Sequence, residues 1–253
     1  MNKNVIEEYN KINLLLNESN ISFMNHGYFP SYAGILEEDF LFKNQISLYL
    51  KLFEGIDVAG KKILEVGCGR GGGIASVLKY LKAEELFACD INELNIEYCK
   101  ESHDKKISFK VSDAQSLDYD DNMFDILLSV ESSHCYDFPN HFFDEVSRVL
   151  KPGGVFLYTD CGKNIKTFES RSSYFKNIKK ENITNNVKQS CEEDHDKWKR
   201  LILNEQVRDK FAGIAIEKSA EYSEGSDMYI IYVAENHNKD EPVKVLGDIN
   251  EQV

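Results

Sequence analysis

The sequence predicts an α/β fold built on a doubly wound, seven-stranded, mostly parallel sheet. Three observations carry that expectation. Short apolar runs alternate with segments of helical period between residues 62 and 160, a glycine-rich turn follows the first run, and Phe124-Asp125-Ile126-Leu127-Leu128-Ser129-Val130 is almost continuously apolar. Strands alternating with helices imply right-handed crossovers and parallel pairing, and a continuously apolar strand is one covered on both faces.

Residues 35–53 place apolar side chains three or four apart, so a helix is expected ahead of the sheet. Residues 62–67 read as the first strand, ending in glycine, and 74–81 as the helix after it. Residues 85–90 form a second strand, and Asn92 suits the N-cap of a helix reaching Ser102. A third strand is expected at 107–111, a fourth at 124–130, a helix at 140–150 and, after the turn Lys151-Pro152-Gly153-Gly154, a fifth strand at 155–160. Residues 163–190, rich in Lys, Asn and Ser with Phe168, Tyr174 and Phe175 interspersed, are expected to form a small mobile cap. A helix at 198–211 follows. Residues 214–222 and 228–233, joined by Glu224-Gly225-Ser226-Asp227, carry the signal of a C-terminal antiparallel hairpin. From Asn236 onward periodicity is lost and a flexible tail is expected. The organisation is therefore an N-terminal helical lid over 1–60, a core over 61–235 that carries the cap, and a tail over 236–253, with no internal repeat.

At 253 residues the chain has the length of one such domain. No apolar run reaches the roughly 20 residues of a membrane-spanning helix, and the first residues lack the pattern of a secretory signal, so the cytoplasm is expected. Six cysteines without a CxxC pair argue against a disulfide framework and against structural zinc. A net charge of −13 with no dense Lys/Arg stripe repels a phosphate backbone, which points away from nucleic acid and towards a small-molecule acceptor. The sequence leaves open the choice between monomer and homodimer.

In an open α/β sheet, ligands bind beyond the carboxyl ends of the strands, beside the first strand and its helix. That turn is Glu65-Val66-Gly67-Cys68-Gly69-Arg70-Gly71-Gly72-Gly73. Its glycines let backbone approach a ligand closely. Gly67, Gly69 and Gly72 also satisfy G-x-G-x-x-G, so the loop alone fits a nicotinamide dinucleotide equally well. Asp90, ending the second strand, suits ribose hydroxyls in either case. Asp113 in Ser112-Asp113-Ala114, just after the third strand, discriminates: it stands where a methyltransferase would meet an adenine amino group, although a turn or cap role is also open to it.

Together with Val130-Glu131-Ser132-Ser133-His134-Cys135-Tyr136 and Glu145-Val146-Ser147-Arg148-Val149-Leu150-Lys151-Pro152-Gly153-Gly154, these motifs resemble the Rossmann-like class I methyltransferases that use S-adenosylmethionine. The nearest resemblance is to the phthiotriolone and phenolphthiotriolone dimycocerosate methyltransferases, with demethylrebeccamycin-type sugar O-methyltransferases further off. It spans roughly residues 25–160. The resemblance implies that Gly67, Gly69 and Gly71, with Glu65 and Cys68 beside them, hold the methionine moiety, Asp90 and Ile91 the ribose side, and Asp113 and Ala114 the adenine, with S-adenosylhomocysteine as product. Asn25-His26-Gly27-Tyr28-Phe29-Pro30 is similar to the family's lid, where Tyr28 would close over the cofactor; the family's more usual run is Asn-Tyr-Gly-Tyr-Trp, so His26 and Phe29 depart from it. Glu131 is read as holding the lid or the cofactor.

A hydroxyl acceptor needs a base, and histidine titrates in the right range. His134 follows the fourth strand and Asp160 ends the fifth; neighbouring strand ends lie about 5 Å apart, so Asp160 can hold the His134 tautomer. The resemblance implies the same catalytic pair. Cys135 is read as packing, and His134, Cys135 and Asp160 as too few ligands for a metal, so none is expected. Tyr136 and His141 are placed near the acceptor, and His103, His195 and His237 in solvent. The expected activity is O-methylation of a polyketide-like, lipid-like or glycosylated natural product; methylation at nitrogen or carbon, or a non-catalytic cofactor-binding subunit, are the alternatives.

Overall fold

The computed structural model describes residues 3–16, 19–162, 164–225 and 227–237. Seven strands form one sheet: β1 (Lys62–Val66), β2 (Glu85–Asp90), β3 (Ile107–Val111), β4 (Phe124–Val130), β5 (Leu150–Cys161), β6 (Phe175–Asn182) and β7 (Tyr229–Asn236), in the order β3-β2-β1-β4-β5-β7-β6. β1 to β5 are parallel, and β7 runs antiparallel between β5 and β6. The order reverses between β1 and β4, which opens a crevice at their carboxyl ends. Successive residues of β4 serve opposite layers, Ile126 and Leu128 joining one core and Leu127 the other. This is the alternation behind its unbroken apolar run.

Helices α1 (Lys3–Leu15) and α2 (Lys43–Leu52) precede the sheet, α3 (Gly72–Ser76) continues as a π-helical turn at Val77–Leu81, and α4 (Glu93–Ser102) and α5 (Pro139–Val149) are crossovers. The Asn92 side chain caps α4 by accepting from the N–H groups of Leu94 and Asn95. The helix expected over 35–53 is instead a 3-10 turn at Glu37–Phe42 followed by α2. Strand β5 begins five residues early, absorbing the expected turn at 151–154. No helix among the described residues is long and apolar enough to cross a membrane.

Three expectations are corrected beyond Asp160. The expected strand at 214–222 lies within helix α8 (Glu205–Ser223): its buried residues Val207, Phe211, Ala215, Ser219 and Tyr222 recur every three or four positions, whereas Ile214 and Ile216, which suggested a strand, are exposed. β7 therefore pairs with β5 and β6 rather than with a hairpin partner. The expected single helix at 198–211 breaks at 202–204, between α7 (Thr184–Leu201) and α8, which Asn204 caps through Val207 N–H. The expected loose cap supplies α6 (Asn164–Ser170), the edge strand β6 and the start of α7. Its lysines, Lys176, Lys179 and Lys180, are those of a charged edge strand. Phe168 is 1% exposed, its ring centroid 4.6 Å from that of Tyr232.

His103 and His195, expected in solvent, bond the carbonyls of Arg70 and Ala212. The expected tail starts later than 236, because Asn236 is buried in β7 and donates to the carbonyls of Ser147 and Leu150; the rest of that tail, 238–253, lies outside the described residues. Phe168→Ala is expected to cost about 3–5 kcal/mol in urea denaturation, as for a core aromatic. A change within about 0.5 kcal/mol would return residues 163–190 to the status of a mobile cap.

Candidate functional site

The turn after β1 is held from below by a buried carboxylate. Glu65 accepts from the Tyr49 hydroxyl at 2.9 Å and from Ile74 N–H at 2.9 Å, and burial pushes its carboxyl up to about 8. Gly67 has φ +74°, and a Cβ there would lie 1.8 Å from Ser132 Oγ, so the loop presses directly on the turn after β4. Gly67 and Cys68 donate to the Cys89 carbonyl, and Gly69 N–H donates to Asp90 Oδ2 at 2.9 Å.

Above the loop lies a cavity of about 850 Å³, lined by eight of the residues expected from the sequence: Gly67, Cys68, Gly69, Asp90, Ile91, Asp113, Ala114 and Glu131. Asp90 takes Gly69 N–H on one oxygen and Asn92 N–H on the other; burial raises its pKa, and these donors, with the Asn95 side chain and Ile91 N–H, pull it back. Asp113 Oδ1 holds both nitrogens of Gln115.

The one guanidinium on the wall, that of Arg70, is 2% exposed and committed elsewhere. It donates to the carbonyls of Ile21, Leu16 and Ser19 and to Asn13 Oδ1, and stacks 3.5 Å from the Tyr98 ring centroid. Arg70 thus ties α1 and the lid segment to the loop, while three carboxylates, Asp90, Asp113 and Glu131, face the cavity.

Five expected residues do not line it. Glu65 braces the loop from beneath. Gly71 (φ +77°) packs against α4, where a Cβ would sit 2.9 Å from Cys99 Sγ. Tyr28 is drawn away by its N–H bond to the Asn44 carbonyl and lies beside Tyr32 and Lys51; Phe23, Met24 and Asn25 from the same segment cover the cavity instead. His134 and Asp160 pair at the carboxyl edge without forming part of the wall. Tyr9 and Ser132, which also line the cavity, were not singled out from the sequence: a tyrosine in an amphipathic helix reads as core, and a serine in a turn reads as solvent-facing. Tyr136 is on the wall, but His141 stacks on Phe138 away from it.

The expected dyad is formed. His134 Nδ1 lies 2.8 Å from Asp160 Oδ1, and Asp160 also accepts from Ser133 Oγ, His134 N–H and Cys161 N–H. Burial alone opposes charge on His134, but the hydrogen bond and attraction of Asp160, with a contribution from Cys135, outweigh it and push the imidazole up to about 11. His134, Asp160 and Cys161 are the one group among the described residues that brings three potential metal ligands within 4.8 Å. Asp160 is already saturated there by four donors. Cys135, weighed from the sequence as the third ligand, also has its Sγ 3.9 Å from the Tyr9 hydroxyl. All six cysteines are free thiols.

A second carboxylate anchors the lid. Glu131, at φ +48° after β4, accepts His26 N–H at 2.7 Å and the Tyr229 hydroxyl on Oε1, and its Oε2 is 3.3 Å from His26 Nδ1.

Residues 64–158 match the sequence profile of a family described as "Methyltransferase domain". A fatty-acid O-methyltransferase of Mycolicibacterium smegmatis is 40% identical over 150 residues, 58% of this chain and 55% of that protein. A phthiotriol/phenolphthiotriol dimycocerosates methyltransferase of Mycobacterium tuberculosis is 41% identical over 120 residues, 47% and 44% of the two chains. The chain spans about half the length of the curated relatives it matches. Among solved structures, a Haemonchus contortus phosphoethanolamine N-methyltransferase in complex with S-adenosylhomocysteine superposes with a TM-score of 0.67 at 20% identity, over 79% of this chain and 56% of that one, a likeness of fold. Residues 64–158 thus resemble a methyltransferase domain, and the fold is the Rossmann-like one of the superposed structure.

The raised pKa of His134 has a consequence for stability. Its ionic contribution is complete below the unfolded value of about 6.5 and is lost as pH rises towards the folded value. Urea denaturation should therefore find the stability advantage of the parent over His134→Gln larger at pH 6 than at pH 9. An advantage independent of pH would mean that the pair is not ionised.

Proposed function

We propose that the chain is an S-adenosylmethionine-dependent methyltransferase acting on an oxygen of a small-molecule acceptor. The observation that carries this reading is the charge of the cavity above the glycine loop: three carboxylates line it, with the guanidinium of Arg70 turned away. A dinucleotide would bring a pyrophosphate to that loop and find no cation there. A cationic ligand fits.

S-adenosylmethionine supplies a methyl group on a positively charged sulfur. The backbone of Gly67, Cys68 and Gly69 would hold its amino-acid end, the Asp90 carboxylate its ribose hydroxyls, and Asp113 with Ala114 its adenine. Tyr9, Phe23 and Met24 cover the cavity and exclude water, which suits a displacement in which charge disappears. Oxygen as the acceptor atom is supported by the O-methyltransferase among the relatives and by the histidine–carboxylate pairs near the carboxyl edge, since a hydroxyl needs its proton removed. His134, steadied by Asp160, is the pair that the sequence points to. Its ring carries a proton at neutral pH and stands off the cavity wall, so it would serve as base only after bound sulfonium had lowered its pKa.

Calorimetry should find S-adenosylhomocysteine binding the full chain and no heat with NAD. Asp90→Ala should weaken that binding by about 1.5–3 kcal/mol, the loss of charge-assisted hydrogen bonds in a desolvated pocket. No binding at millimolar S-adenosylhomocysteine, or a preference for NAD, would sink the assignment.

A further inference from the structure

A second cavity adjoins the first. It encloses about 680 Å³, part of it open to solvent, between α1, the lid segment, α7 and α8, and Tyr9, Phe23, Met24 and Asn25 form a wall common to both cavities. Its far side is mostly apolar, with Ile12, Trp198, Phe211, Ile214 and Ala215, and Lys210 stands among them. Of its polar lining, Asp194 is committed to Asn44, Gln45 and Lys197, and the Asn25 amide donates to the Gln45 carbonyl.

His26 differs from these. Its Nδ1 faces Glu131 Oε2 at 3.3 Å and the Tyr222 hydroxyl at 3.2 Å, and its ring meets Tyr222 and Tyr229 edge-on. A carboxylate beside Nδ1 favours the tautomer that carries the proton there, which makes Nε2 the basic nitrogen. Among the described residues Nε2 has no hydrogen-bond partner. His26 lines the second cavity and Glu131 the first, so the pair bridges the two. His134 lines neither.

We infer that the second cavity receives an acceptor with an apolar chain and a hydroxyl group, and that His26 Nε2 takes the proton of that hydroxyl. The inference rests on the methyl-transfer reading, and it gives the proton to His26 instead of His134. As the oxygen lone pair forms the bond to the methyl carbon, the carbon–sulfur bond breaks with its electrons remaining on sulfur, and the hydroxyl proton passes to Nε2. Glu131 stabilises the imidazolium that results. The products are a methyl ether, S-adenosylhomocysteine and protonated His26.

The test uses the full chain, 1-decanol and S-adenosylmethionine labelled in its methyl group, with decyl methyl ether as the readout. His26→Gln is expected to lower turnover about 100-fold or more, with S-adenosylhomocysteine affinity changed by less than about twofold. Ala215→Trp, which fills the second cavity, is expected to raise KM for decanol about tenfold or more while sparing S-adenosylhomocysteine binding. Turnover surviving in His26→Gln, or a His26→Gln protein that loses S-adenosylhomocysteine as well, would overturn the inference. So would an unchanged KM in Ala215→Trp, or no label transferred to decanol by a parent that binds S-adenosylhomocysteine. A parent that fails to bind S-adenosylhomocysteine would instead remove the methyl-transfer reading itself.

Discussion

The cavity depends on how the loop after β1 is held, and that depends on one buried carboxylate. Glu65 lies one residue from the end of β1, an interior strand of the sheet, out of water, and a carboxyl group in that position is tolerable only with its oxygens satisfied. The Tyr49 hydroxyl from α2 and the Ile74 N–H from α3 satisfy them. The same two bonds fix where α2 and α3 stand relative to the strand. With its ends fixed, the loop meets the β4 turn at Gly67 with no space for a side chain, and its backbone becomes the floor of the cavity.

Five residues along, Arg70 does the complementary work. Its guanidinium leaves the cavity to gather the carbonyls of residues 16, 19 and 21, so the N-terminal segment is drawn over the loop by charge-assisted hydrogen bonds. Using the cation in this way has an electrostatic consequence. The carboxylates of Asp90, Asp113 and Glu131 remain without a counter-charge on the wall, and a ligand cation can supply it. Roof and ligand preference thus have one cause.

Much of this was legible in the sequence. The five parallel strands announced themselves because each is short, apolar and followed by a turn or cap signal, and Asn92 caps α4 by local chemistry alone. The His134–Asp160 pair was legible because two adjacent strands end within one turn of these residues. The failures share a cause: they concern contacts that sequence neighbours do not make. Tyr28 carries the expected lid aromatic, yet which residue of the lid turns inward is decided by the Tyr28 N–H bond to Asn44, part of α2. Gly71 fits the motif but yields to packing by α4. Strand β6 was hidden because an edge strand, with one flank in water, carries lysines like a loop. α8 was misread because its exposed isoleucines alternate like a strand while its buried residues keep helical spacing.

The two histidine–carboxylate pairs show why pairing alone does not assign a role. Asp160 lies fully buried with its four donors, the His134 ring is 38% exposed, and close contact at 2.8 Å stabilises the protonated imidazole; a base already holding its proton is idle. Glu131 is divided among the His26 backbone, Tyr229 and, at the longer distance of 3.3 Å, the His26 ring. A carboxylate shared in this way orients the ring and the lid backbone together. The difference follows from backbone placement. Asp160 lies within a regular strand and can give both oxygens to the turn beside it, whereas Glu131, turned into the left-handed region at the end of β4, reaches across to the lid. The first pair thus ties a strand end to the turn beside it, and the second ties a strand end to the lid.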